Sequence, residues 1–164
     1  MNKKGFTLVE LLVVIAIIAG LAGVVLVAIN PAALLAKGRD AKRLEDLDAL
    51  HKAISLSLAD NEVTLTATGT CATCSSDITR LVLDGTTGWV KFTIPTGKTG
   101  LSKYLATLPL DPTQDGVYVY TFGSTTAAYE INAVLESLDN VAKMSTDGGN
   151  AAAVYEVGTS LTVL

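Results

Sequence analysis

Two cysteines and one histidine are the only thiol and imidazole ligands in these 164 residues. A structural zinc site takes about four ligands, and His51 falls on an expected helix far from Cys71 and Cys74. Positive charge is also short: 12 Lys and Arg stand against 16 Asp and Glu, for a net charge of -4. No overall basic face is available to track a nucleic-acid backbone, so no nucleic-acid partner is expected from the charge, although a local patch leaves DNA uptake open. Enzyme signatures are missing too. There is no Gly-x-Ser-x-Gly, no His-Glu-x-x-His and no Ser/His/Asp set. Gly97-Lys98-Thr99-Gly100 has the end of a phosphate-binding loop, but Phe92 stands where that pattern wants a glycine. The expectation is that the chain is not an enzyme and needs no cofactor. Asn-x-Ser/Thr is absent as well. Aromatics are only 5%, and they fall in alternating strand-like runs, which makes them core and sheet residues rather than a ligand box.

Apolar residues are not scarce, at 49%. From Leu11 to Ile29 no side chain is polar. At 1.5 Å per residue that run makes about 28 Å of helix, close to the ~30 Å of a bilayer's hydrocarbon core. Glu10 sits at its edge, after Phe6-Thr7-Leu8-Val9. A charge in hydrocarbon costs about 2.5–3.5 kcal/mol even on a lenient scale, so Glu10 needs a partner. The alternative is a helix-end charge that snorkels to the interface. Lys3 and Lys4 precede the run, which predicts a cytoplasmic N-terminus and the bulk of the chain outside. Lys37, Arg39, Lys42 and Arg43 on the far side are interleaved with Asp40, Glu45, Asp46 and Asp48. A secretory signal peptide wants an apolar middle of roughly 7–15 residues, shorter than this one and without a Glu10.

Pro31 follows the apolar run, and a proline inside a helix removes a hydrogen bond and kinks it. Beyond it, Leu34, Ala41, Leu44, Leu47, Leu50, Ile54 and Leu58 recur at helical spacing, with Lys37, Arg39, Asp40, Lys42, Arg43, Glu45, Asp46 and Lys52 opposite them. The pattern predicts one long helix over about 6–58, kinked or loosened between Gly20 and Pro31. Its second half has a solvated charged face, with His51 on the surface. The remainder reads as β. Strand candidates are 78–83, 89–94 (Val90, Phe92 and Ile94 on one face), 117–122, 129–135 (Tyr129, Ile131, Ala133 and Leu135 together) and 154–157, with 161–164 as a further short piece. Residues 104–112 look like a short helix ending in a proline-stiffened loop. The fold class expected is α+β, a long N-terminal helix packed on a small antiparallel sheet.

Cys71-Ala72-Thr73-Cys74 lies in a Thr- and Ser-rich run. Outside the cytoplasm it reads first as a local, loop-pinning disulfide. Free thiols and a metal or redox role are the alternatives.

Lys3-Lys4-Gly5-Phe6-Thr7-Leu8-Val9-Glu10-Leu11-Leu12 resembles the N-terminal signature of type IV prepilins and of the pseudopilins of type II secretion. The resemblance implies cleavage by a prepilin peptidase between Gly5 and Phe6, N-methylation of Phe6, and assembly through Glu10. A carboxylate at Glu10 would pair with the Phe6 ammonium of a neighbour, each offsetting the other's desolvation. It further implies residues 1–5 as a leader, 6–30 as a transmembrane assembly helix, 31–60 as an amphipathic helix and 61–164 as a β-rich head. Partners would be other copies in a helical filament and an inner-membrane assembly platform. The destination would be a surface or periplasmic filament serving adhesion, motility or DNA uptake. Leu108-Pro109-Leu110-Asp111-Pro112 resembles a stretch of the major pseudopilin, which would make the subunit part of a protein-export piston instead. That subfamily binds calcium in an acidic loop near the C-terminus, and Asp139 and Asp147, with Asn140 and Asn150, are the calcium candidates here. A membrane-tethered binding module is the reading from another class.

Overall fold

The computed structural model describes residues 5–164, so the calls on Lys3, Lys4 and most of the leader lie outside the described residues. Thr7 opens the first helix. Its backbone is extended (φ -82°, ψ 151°) and its hydroxyl accepts from the N–H of Glu10, which satisfies one of the donors a helix start leaves bare. Helix α1 then runs from Leu8 to Ile29 without interruption at Gly20 or Gly23. None of its residues is buried. A helix apolar on every side is built for lipid or for packing against other helices, and this one is long and apolar enough to cross a membrane.

The expected kink region of Gly20–Pro31 narrows to one residue. Asn30 is left-handed (φ 44°, ψ 76°), and α2 begins at Pro31 and ends at Ala59. The cause is local. Pro31 has no N–H to continue α1 and disfavours helical backbone at the residue before it, while asparagine tolerates the left-handed region. Asn30 turns this into a start signal, because its carbonyl accepts from Ala33 N–H (3.0 Å) and Leu34 N–H (3.3 Å).

By its internal packing the chain divides after Leu35. In the second unit, Leu47, Leu50, Ala53 and Ile54 of α2 form the core with Trp89, Val90, Phe92, Leu101, Leu108, Tyr120, Phe122, Tyr129, Ile131 and Ala133. The described residues make two small sheets. Strands β1 (Thr64–Leu65) and β2 (Phe92–Thr93) pair antiparallel. Strands β3 (Thr121–Ser124), β4 (Tyr129–Ala133) and β5 (Tyr155–Gly158) form an antiparallel sheet in that order. The α+β architecture is therefore the one read from the sequence.

Several element assignments are corrected. Residues 78–83 form no strand, 117–120 are turn-like, and 161–164 are not a strand. The helix expected at 104–112 is a 3-10 turn at Gly100–Lys103 followed by an irregular loop. The reason is tertiary. Trp89 Nε1 donates to the Pro109 carbonyl (3.1 Å) and Leu108 N–H to the Leu81 carbonyl (3.1 Å). These segments thus satisfy their backbones against each other rather than in a ladder.

A strap borders β3. Phe122 N–H donates to the Cys74 carbonyl (2.8 Å), Ser76 N–H to the Tyr120 carbonyl (2.7 Å) and Thr68 N–H to the Ser124 carbonyl (2.8 Å). Residues 68–76 thereby occupy an edge that would otherwise be free to pair with another chain.

Candidate functional site

Gly5 and Phe6 are non-helical and exposed, Phe6 at 83%. The Gly5–Phe6 bond therefore sits in accessible coil just ahead of the helix cap. The Glu10 carboxylate reaches back to that cap. Its Oε2 accepts from the Thr7 N–H (2.8 Å) and the Thr7 hydroxyl (2.7 Å), while Glu10 N–H donates to Thr7 Oγ1 (3.3 Å). This reciprocal pair is a capping box. It anchors Glu10 in the first turn, where the partial positive charge of the helix start favours an anion. Both contacts fall on Oε2, and Oε1 has no donor among the described residues. Thr7 is a residue the sequence reading passed over, although Thr7-Leu8-Val9-Glu10 has the capping-box spacing. Glu10 thus has a partner in its own chain and one oxygen left for another.

Cys71 and Cys74 form a disulfide, with Cys74 buried at the strap's contact with β3. The bond closes the strap where it turns.

The calcium candidates have other engagements. Asp139 pairs with Lys37. Asp147 accepts from Gly149 N–H (3.0 Å) through Oδ1 and from Glu156 N–H (2.8 Å) through Oδ2. The two acids are not brought together, and among the described residues no group of three His, Cys, Asp or Glu is arranged to hold a metal ion. His51 is half-buried, its Nδ1 3.0 Å from the Tyr129 hydroxyl. In the loop that resembles a phosphate cradle, Thr99 N–H donates to Glu62 Oε2 (3.0 Å). A carboxylate thus occupies a donor that a phosphate would need.

The largest departure from the sequence reading is on α2. Asp40, Arg43 and Asp46 fall on the charged side of the helical pattern, yet all three are buried. Arg43 donates to Asp111 (2.6 and 3.0 Å), Asp40 (3.0 Å), Glu136 (2.7 Å) and the Thr113 hydroxyl (2.9 Å). Asp40 in turn accepts from the N–H groups of Glu136 (3.0 Å) and Ser137 (2.8 Å). Asp46 accepts from the buried Tyr120 hydroxyl (2.9 Å). Burial alone would lower the Arg43 value, but its bonds to Asp111 and Glu136 hold it above the ordinary one. Burial likewise pushes Asp40 upward, and the hydrogen bonds from Glu136, Ser137 and Arg43 overcome that push and hold it down. Arg39, donating to both Glu136 oxygens (2.6 and 2.7 Å), lowers Glu136. The cluster fastens α2 to the loops at 111–113 and 136–140. The Arg43 guanidinium is bonded on every side by Asp40, Asp111, Glu136 and Thr113, so the cluster is a structural clamp.

No curated protein and no solved structure matches the chain. Residues 1–29 match the family model described as the prokaryotic N-terminal methylation motif. With an exposed Gly5–Phe6 bond, Glu10 tied to the Thr7 cap and an apolar helix behind it, the chain carries the N-terminal signature of type IV pilins and pseudopilins.

Proposed function

We propose that this chain is a structural filament subunit. A prepilin peptidase removes residues 1–5 and methylates Phe6, and α1 then packs with α1 of other copies. Residues 6–30 are the assembly helix, 31–60 continue it into the head, and 61–164 are the part displayed to the outside. The observation that carries the reading is a methylation motif over residues 1–29 whose helix, α1, has no buried residue. In lipid such helices have little hydrophobic reason to associate, so packing and polar contacts set their register. Glu10 is the only charged residue of α1. Its Oε1 has room for a donor, and cleavage makes one, the new ammonium at Phe6. Before cleavage the Phe6 nitrogen is an amide and Lys3 and Lys4 obstruct the pairing, so the leader would hold uncleaved chains in reserve.

The assembled fibre is read as type IV pilus-like, on the cell surface. A pseudopilin of a secretion piston is the second reading. It is favoured by Leu108-Pro109-Leu110-Asp111-Pro112, whose Asp111 is fixed by Arg43 (2.6 Å). The test is mass spectrometry of the native chain from sheared fibres and from the envelope. A chain starting at methylated Phe6 in sheared fibres is the expected result. The same chain confined to the envelope, with export lost in a deletion strain, selects the pseudopilin. A chain that keeps Met1 in both fractions refutes the processing step.

A further inference from the structure

Glu130 and Asn132 of β4 and Glu156 of β5 share the sheet face opposite Tyr129, Ile131 and Ala133, since neighbours along a strand alternate sides. Asn132 is laddered to Glu156, and Glu130 to Gly158. Glu130 and Glu156 are thus diagonal neighbours on one face, within reach of each other's side chains. An outer face with two acids should be wet. Instead Glu130 is 0% exposed and Glu156 3%.

Two segments cover them. From the loop at 147–151, Ala151 N–H donates to Glu156 Oε2 (3.0 Å), and Gly149 lies so close that a Cβ there would be 1.9 Å from the same oxygen. From the 159–164 segment, the N–H groups of Val163 and Leu164 donate to Glu130 Oε2 (2.7 and 3.1 Å). The Leu164 side chain fills the space above Gly123, where a Cβ would be 2.4 Å from it. Glu130 Oε1 is buried without a donor.

No compensating cation is at hand. Among the described residues no Lys, Arg or His lies within 4.0 Å of Glu130, Glu156 or Asp147. Asp147 also faces the pair and is itself negative, as is the α-carboxylate of Leu164, whose N–H bonds Glu130, while the side chains of 159–164 are uncharged. Two neighbouring buried carboxyls cannot both ionise cheaply, whereas a proton between them supplies the donor that Oε1 lacks.

We propose that Glu130 and Glu156 share one proton, and that this proton latches residues 159–164 onto the back of the sheet. Losing it sets two negative charges against each other, and Glu130 gives up the Val163 and Leu164 amides as it moves away. Burial first, then contact with Glu130 and the charge of Asp147, raises the Glu156 carboxyl above its ordinary 4.5, against the lowering effect of the Ala151 bond. The sign follows from the raised value: the latch is fully closed below 4.5 and loosens as pH rises through the folded-state value of Glu156.

The test is hydrogen exchange of the 159–164 amides in the full chain, in detergent with EDTA, across the pH range above 4.5 and corrected for intrinsic rates. Protection of Val163 and Leu164 should fall by about tenfold for each unit by which Glu156 is raised, while Ile131 keeps its protection. Glu156→Gln, which keeps a donor for Glu130 Oε1 but cannot ionise, should hold protection flat with pH. A carboxyl-carbon NMR titration of Glu130→Gln, which removes one charge, should bring Glu156 back toward its ordinary value. A flat wild-type profile, or an unchanged fall in Glu156→Gln, would overturn the latch.

Discussion

Replacing Arg43 with methionine removes the one cation from a buried cluster while keeping most of the side chain's volume. Asp40 and Asp111, both with fully buried side chains, and Glu136 are left facing one another, with only the partly exposed Arg39 still bound to Glu136. Breaking a buried pair from one side costs about 3–5 kcal/mol, because the stranded charge stays desolvated. At a melting entropy of ~2.1 cal/mol/K per residue, a unit of this size moves about 4 °C per kcal/mol, so Tm should drop by about 10–20 °C. Thermal and urea unfolding followed through Trp89, which is fully buried, reads the change. The pH dependence gives a second arm. Asp40 and Glu136 are held below their ordinary values of 3.8 and 4.5. Their contribution is thus present above those values and is lost as pH falls through the folded-state ones. Wild type should lose stability on acidification over that interval, and Arg43→Met should lose less. A variant within about 0.5 kcal/mol of wild type, as expected of a surface change, would refute the clamp.

Three further outcomes are expected. Glu10→Ala should leave membrane insertion intact and abolish fibre yield in sheared fractions, whereas normal yield would remove Glu10 from assembly. The double replacement Cys71→Ser with Cys74→Ser should cost about 2 kcal/mol for so short a loop. In that variant the amides of Phe122 and Ser124, next to the strap, should lose more exchange protection than Ile131; uniform loss would argue against a strap. Gly85→Ala should cost at least about 2 kcal/mol, since Gly85 has φ +72° and a Cβ there would be 2.2 Å from the Phe92 carbonyl oxygen. A neutral result in urea unfolding would mean that this turn is not as tight as described.

The N-terminal signal was legible because it is local: an apolar run, one acid and a basic leader within a few turns of helix. The stripe Leu47, Leu50 and Ile54 was legible for the same reason, and so was the alternation of Tyr129, Ile131 and Ala133, all of which are buried. Glu130 and Asn132 show the limit of that alternation. The alternation says nothing of what lies over their face, and residues distant in sequence, at 147–151 and 163–164, cover it. Arg43 is the same lesson on a helix. The wheel puts it among solvated charges, but its partners Asp111 and Glu136 come from loops far along the chain. The cap at Thr7 was readable from the Thr-x-x-Glu spacing. The charge of Glu10 in an apolar context pointed outward to a neighbour instead, and the structure adds the partner inside the chain.

The central claim is electrostatic: a carboxylate at the lipid edge of one subunit is matched by the amine that processing exposes on the next. A density map of the assembled fibre, at a resolution that shows side chains, tests it most directly. The account predicts the Phe6 amine within about 2.7–2.9 Å of a neighbouring Glu10 oxygen, with Thr7 still holding the other. A fibre in which the two groups are far apart and Glu10 is bonded only to its own Thr7 would contradict it.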